Sequence, residues 1–152
     1  MILNRQTKVR IAVAPLERFL REIRSVAKIA DGEVSIAFVT DAEIARWNES
    51  YRSKKGPTDV LSFPAFPRRN ADRNTSAKHG KTHPAEARFL GDIAIAPETA
   101  RRYAKKHGRT LAGELRILML HGVLHLMGYD HESDNGQMNR IEQKLRRRLG
   151  IE

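Results

Sequence analysis

The sequence contains no cysteine, which excludes disulfide bonds and thiolate metal ligands, so any metal must be held by histidine or carboxylate. It also lacks a long apolar run, because its most apolar stretch, Ile117 to Met127, is short and interrupted by two histidines. The first ten residues, MILNRQTKVR, carry charges where a secretion signal needs an apolar core. These absences predict a cytoplasmic protein with no membrane partner.

Acidic residues are few relative to basic ones, 18 against 28, which gives a net charge of +10. Such a surface attracts polyanions, nucleic acids above all, although a charge that serves only solubility is the alternative. The segment from Pro64 to Arg88 shares this excess, with six basic and two acidic residues and no hydrophobic periodicity. It is either a basic arm that binds phosphates, through Arg68, Arg69 and Arg73 among others, or a solvated insertion.

The hydrophobic pattern predicts four strands and five helices in one domain, residues 1–152, of α+β or α/β type around one sheet. Its strand order does not follow from the pattern. The predicted strands are Lys8 to Ala14, Val34 to Val39, Val60 to Phe63 and Phe89 to Ala96. The predicted helices run from Pro15 to Ala30, from Thr40 to Tyr51 behind a capping box with Glu43, from Glu98 to Lys106, from Thr110 to Met127 and from Asn135 to Leu149.

Three of the six histidines lie in the stretch HGVLHLMGYDH, residues 121–131. On a helix, His121 and His125 are one turn apart and face the same way. His131 can join them only if the chain turns back, and Gly128 is placed to cap the helix and make that turn. Three imidazoles leave one tetrahedral position of zinc open for water or substrate, as in catalytic sites. The spacing therefore predicts a three-histidine metal site that also suits iron, nickel or cobalt.

Gly122 follows the first histidine, where the metzincin pattern of metalloproteases has the glutamate that acts as general base. A glycine there costs about 1 kcal/mol of helix stability, so it serves close packing or close approach of a ligand. Without the carboxylate, a protease is disfavoured. Tyr129, Asp130 and Asp134 are candidates for the outer hydrogen bonds that fix the imidazole tautomers.

The motif HGVLHLMGYDH resembles the H-G-x-L-H-L-x-G-Y-D-H signature of the YbeY endoribonucleases, bacterial rRNA maturation factors. Tyr51-Arg52, the run Gly56 to Pro64 (GPTDVLSFP) and Leu90 to Ile93 (LGDI) also resemble that family's motifs, in the same order. The basic arm departs from the family, in which we expect a shorter, more acidic stretch.

The resemblance implies an α+β fold with one zinc ion held by His121, His125 and His131. It implies an endoribonuclease specific for single strands, which acts in 16S rRNA 3′-end maturation and ribosome quality control at the small ribosomal subunit. The family's arginine falls on Arg52, which with His121 forms the predicted catalytic set. The arginine fork suits the charge that develops on two phosphoryl oxygens, and whether water or the 2′-hydroxyl attacks stays open.

Further candidates surround this set. Thr58 and Asp59 are predicted to hold the arginine or a ligand histidine, and Lys105 and Lys106 to contact RNA phosphates. Tyr103 and Trp47 could stack on bases, although burial suits Trp47 better. The rival function is a non-catalytic rRNA-binding assembly factor with a structural metal, which a fourth protein ligand from Asp59, Asp130 or His107 would favour.

Overall fold

A computed structural model of the chain describes residues 1–29, 34–65, 89–130 and 134–151, which form four strands and five helices. The strands are β1 (Ile2–Asn4), β2 (Val34–Phe38), β3 (Val60–Pro64) and β4 (Gly91–Ile95). The helices are α1 (Val13–Ala27), α2 (Asp41–Arg52), α3 (Pro97–Lys106), α4 (Leu111–Leu126) and α5 (Gln137–Leu149). None of the described helices is long and apolar enough to cross a membrane.

The strands form one mixed sheet in the order β1-β2-β4-β3, which confirms the α+β expectation. β1, β2 and β4 are parallel, with Ile36 opposite both Ile2 and Ile93. β3 runs antiparallel to β4 at the sheet edge, and its last residue is Pro64. A proline is tolerated there because an edge strand has a free hydrogen-bonding side.

The two faces of the sheet bury different cores, because side chains alternate along each strand. Large side chains such as Ile36, Phe38 and Ile93 face α1, α4 and α5 and form the main core with them. On the other face, Ala37, Ala94 and Phe63 pack with Ile44 and Trp47 of α2 in a smaller cluster. The alternation of large and small residues therefore places α4 and α2 on opposite faces.

The predicted strand from Lys8 to Ala14 is wrong, since the first strand is Ile2–Asn4 and α1 already begins at Val13. The side-chain amide of Gln6 accepts from the backbone N of Val9 and donates to its backbone O, both at 2.9 Å. These bonds close a turn that occupies the backbone groups a strand would need. The apolar alternation reflects Val9 buried in this turn, with Ile11 and Val13 packed against the main core.

The remaining helices and strands fall close to their predicted bounds, and the predicted caps are present. Thr40 Oγ1 accepts from the backbone N of Glu43 at 3.1 Å, and Thr110 Oγ1 accepts from Gly113 N at 3.0 Å. Beyond the end of α4, Gly128 adopts a φ of +99°. Its N–H bonds the carbonyl of His125, and the N–H of Tyr129 bonds that of Leu124, which is the hydrogen-bond pattern of a Schellman motif.

Candidate active site

The apolar helix α4 positions the histidine pair at its C-terminal end. Most of its side chains are buried between the sheet and the helices α1, α3 and α5, so neighbouring residues hold its axis in place. His121 and His125 are half-buried on this helix. Their rings lie 4.6 Å apart between centroids, at an interplanar angle of 78°, and the two Nε2 atoms are 3.0 Å apart. Two ring nitrogens therefore converge on one point, as the spacing predicts.

A carboxylate that the sequence did not single out lies beside this histidine pair. Oε1 of Glu142, on α5, lies 2.9 Å from Nδ1 of His121, and the side chain of Glu142 is almost fully buried. Its other oxygen lies 3.5 Å from the guanidinium of Arg146, which compensates the buried charge. An ionised carboxylate can only accept, so this contact favours the tautomer with the proton on Nδ1 of His121, whose Nε2 then faces Nε2 of His125.

The pair fits a zinc ion in both chemistry and geometry. Zinc binds imidazole nitrogens at about 2.0–2.1 Å, which places two tetrahedral ligands about 3.3 Å apart. The 3.0 Å between the two Nε2 atoms needs only a small opening. Among the described residues no group of three or more His, Asp or Glu side chains forms a complete metal site. The third predicted ligand, His131, lies outside these residues.

Gly122 is required by the packing of α4 on the sheet. A Cβ at this position would lie 2.8 Å from Cγ2 and 2.9 Å from Cδ1 of Ile93, which is nearly inaccessible on the central strand β4. The carbonyl of Gly122 also accepts a hydrogen bond from Ser62 Oγ at 3.2 Å. Close packing thus explains the glycine. Metzincins carry their glutamate base at this position, whereas here the same position faces the buried side chain of Ile93.

The candidates for outer hydrogen bonds differ in their surroundings. The carboxylate of Asp134 accepts from the backbone N of Gly136 and of Met138, at 2.8 and 2.9 Å, and so caps the start of α5. Tyr129 packs against the main core, and Asp130 is exposed. The predicted role of these three residues toward the imidazoles stays a prediction.

Arg52 lies in the last turn of α2 and is exposed. The following Ser53 has a φ of +54°, and the side chain of the buried Asn48 donates to the carbonyl of Gly56 at 3.0 Å. These features turn the chain sharply after the arginine. Thr58 Oγ1 donates to Asp59 Oδ1 at 3.4 Å. Within the described residues, neither of these two side chains bonds Arg52 or the histidine pair.

The RNA-binding candidates are distributed over the surface. Lys105 and Lys106 are exposed at the end of α3, where Tyr103 stacks on His107 with 6.4 Å between ring centroids. Trp47 is half-buried in the small cluster between α2 and the sheet, so burial accounts for only part of its surface. Arg68, Arg69 and Arg73 of the basic arm lie outside the described residues.

Comparison with known proteins adds independent findings. The family model for Endoribonuclease YbeY matches residues 1–150. An Endoribonuclease YbeY from Solibacter usitatus is 41% identical over 137 residues, which cover 90% of this chain and 78% of that protein. One from Koribacter versatilis is 37% identical over 151 residues, covering 99% and 86%. The solution structure of TM1509 from Thermotoga maritima has a TM-score of 0.60 at 26% identity and covers 98% of this chain and 89% of that chain.

Proposed function

The chain belongs to the YbeY endoribonuclease family, and on this basis we propose that it is a zinc-dependent endoribonuclease that cuts single-stranded RNA. Its proposed role is 16S rRNA 3′-end maturation and ribosome quality control, in the cytoplasm and on the small ribosomal subunit. The observation that carries the proposal is the pair of imidazole nitrogens converging beside a buried carboxylate.

The proposed metal ligands are His121, His125 and His131. The carboxylate of Glu142 holds the proton of His121 on Nδ1, so that Nε2, which faces Nε2 of His125 at 3.0 Å, would offer its lone pair to a cation. A bound divalent cation would supply Lewis acidity, which activates the attacking oxygen, of water or of the 2′-hydroxyl, and neutralises phosphoryl charge. The fixed axis of α4 keeps the two imidazoles oriented, so little rearrangement is needed when the ion binds.

Arg52 is the proposed phosphate-binding residue of the reaction. Its guanidinium presents two parallel N–H donors, which match two non-bridging oxygens of a phosphodiester. Charge on these oxygens grows as the bond is cleaved, so the interaction strengthens in the transition state. Its exposure at the end of α2 leaves the side chain accessible to a polymer substrate.

The test combines metal analysis with cleavage of a labelled single-stranded RNA by nuclease-free protein. The wild type should contain about one zinc ion per chain and should cleave the RNA, because three imidazoles hold the ion with one position open. His125→Ala should lose both zinc and cleavage. The comparison variant is His107→Ala, an exposed histidine outside the motif, which should keep both; loss of zinc from it would make His107 the fourth protein ligand that favours the structural-metal alternative.

Two outcomes would contradict the proposal. If His125→Ala retained all of its zinc, His125 would not be a zinc ligand and the three-histidine site would be refuted. A wild type that contains zinc and binds RNA but cleaves none would instead favour the non-catalytic assembly factor with a structural metal.

A further inference from the structure

A cavity of about 350 Å³ opens on the face of the sheet that carries α2. Its floor is made of small side chains, Ser35, Ala37 and Ala94, and α2 covers this face only in part. The volume falls in the range of about 300–1,000 Å³ that is common for small-molecule sites. We call this cavity the α2-face basin.

Three aromatic side chains form one wall of the basin. Trp47 and Tyr51 both contact Phe63 edge to face, with centroids 5.9 and 5.4 Å apart. Tyr51 exposes 71% of its surface and so leaves part of its ring accessible to a ligand. Aromatic faces accessible to solvent beside a small-residue floor suit a flat ring that stacks on them.

The charged groups of the basin offer one contact to the base of a nucleotide and another to its phosphate. Asp92 is exposed in the lining, next to Ser35 in the register of β2 and β4. An ionised carboxylate only accepts hydrogen bonds, so it selects a ligand edge that carries N–H donors and repels a phosphate. Arg5 also lines the basin; its guanidinium is paired with Glu43 at 3.1 Å and is more than half exposed, so it supplies the positive charge that suits a phosphate.

We propose that the α2-face basin binds a guanine base of single-stranded RNA, stacked on the aromatic wall with its edge donating to Asp92. Guanine presents an imino and an amino N–H side by side, and a carboxylate can accept both. Uracil presents one imide N–H between two carbonyl oxygens, which a carboxylate repels. The inference rests on the proposed function only in taking RNA as the ligand.

The edge strand β3 separates the basin from the histidine pair. Ser62 faces α4 and bonds the carbonyl of Gly122, whereas the next residue, Phe63, faces the basin. A strand of RNA that passes around the outer edge of β3 would therefore place one base in the basin and a neighbouring phosphate on the α4 side. The basin would select the position of cleavage rather than take part in it.

Trp47 makes the test direct, because it is the single tryptophan of the chain and lies in the basin wall. The full-length protein is titrated with guanosine 5′-monophosphate and with uridine 5′-monophosphate while Trp47 emission is followed. We expect saturable quenching by the guanosine nucleotide and about tenfold weaker binding of the uridine nucleotide, as for the loss of hydrogen bonds to a charged group.

Two pairs of variants assign the effect to the basin. Asp92→Asn should lose the preference for guanosine, whereas the control Glu22→Gln, an exposed carboxylate on α1, should keep it. Tyr51→Ala should weaken both nucleotides by about fivefold or more, because a stacking surface is lost. Tyr51→Phe retains the ring and should bind like the wild type.

Emission that does not respond to nucleotide, or equal binding of the two nucleotides, would overturn the proposal. A change with protein concentration alone would assign the basin to a second copy of the chain instead. His125→Ala lies outside the basin and should bind both nucleotides like the wild type. A basin that binds guanosine in a protein without RNA cleavage would refute only the proposed function, and cleavage without a Trp47 response would refute only this inference.

Discussion

Gly122→Ala tests whether α4 is held at contact distance from the sheet. The added Cβ would lie 2.8, 2.9 and 3.1 Å from three atoms of Ile93, which neighbouring strands hold on both sides. Overpacking of this kind costs about 1–3 kcal/mol. Alanine recovers about 1 kcal/mol of helix propensity relative to glycine. We expect a net loss of about 1 kcal/mol, which lowers the Tm of a domain of this size by about 2–4 °C.

Thermal unfolding followed by circular dichroism measures the effect, with Gly113→Ala on the same helix as the control. A Cβ at Gly113 meets only the hydroxyl of Thr110, at 3.1 Å, so this variant should cost less. Ile93→Val removes one of the three close atoms, and it should be less harmful in the Gly122→Ala protein than in the wild type. A higher Tm for Gly122→Ala, or strictly additive effects of the two substitutions, would refute the close contact.

Three further predictions concern the site and its substrate. Glu142→Gln should weaken zinc binding by about 10- to 100-fold in a competition assay with a chelator, and unchanged affinity would exclude Glu142 from orienting His121. Arg52→Lys keeps the charge but loses the two-pronged donor, so single-turnover cleavage should slow about 100-fold while RNA affinity changes little. Weaker RNA binding with an unchanged cleavage rate would make Arg52 a binding residue. Deletion of residues 66–88 should flatten the salt dependence of RNA affinity by about 0.7 per lost phosphate contact, and an unchanged slope would mean a solvated insertion.

The sequence predicts those parts of the fold that local signals specify. Thr40 and Thr110 cap their helices as the pattern indicates, because the cap and its backbone donor lie within four residues of each other. β1 escapes prediction since three residues are too few to show a periodicity, and its pairing with β2 depends on residues more than thirty positions away. The order of the strands escapes for the same reason.

The site is predicted where its members are close in sequence. His121 and His125 are one helical turn apart, so their convergence follows from helix geometry alone. Glu142 is 21 residues away from His121 in the sequence, and the arginine run that follows it indicates a solvent-exposed helix. One signal was available: Glu142 stands four residues after Met138 and three before Leu145, which are both buried. A carboxylate in phase with the apolar face of a helix needs a polar partner in the interior.

The antiparallel pairing of β3 with β4 also decides how the chain can vary in length. Pro64 pairs with Gly91, and Ala65 N donates to the carbonyl of Leu90 at 2.9 Å, so the ladder holds both ends of the intervening chain together. Closing a flexible loop costs only about 0.6 kcal/mol for each doubling of its length. A fourfold change would alter the stability by roughly 1.2 kcal/mol. A flexible linker inserted between these two strands would therefore add little closure cost, and the ladder keeps its two points of attachment side by side for a tag or a second folded module.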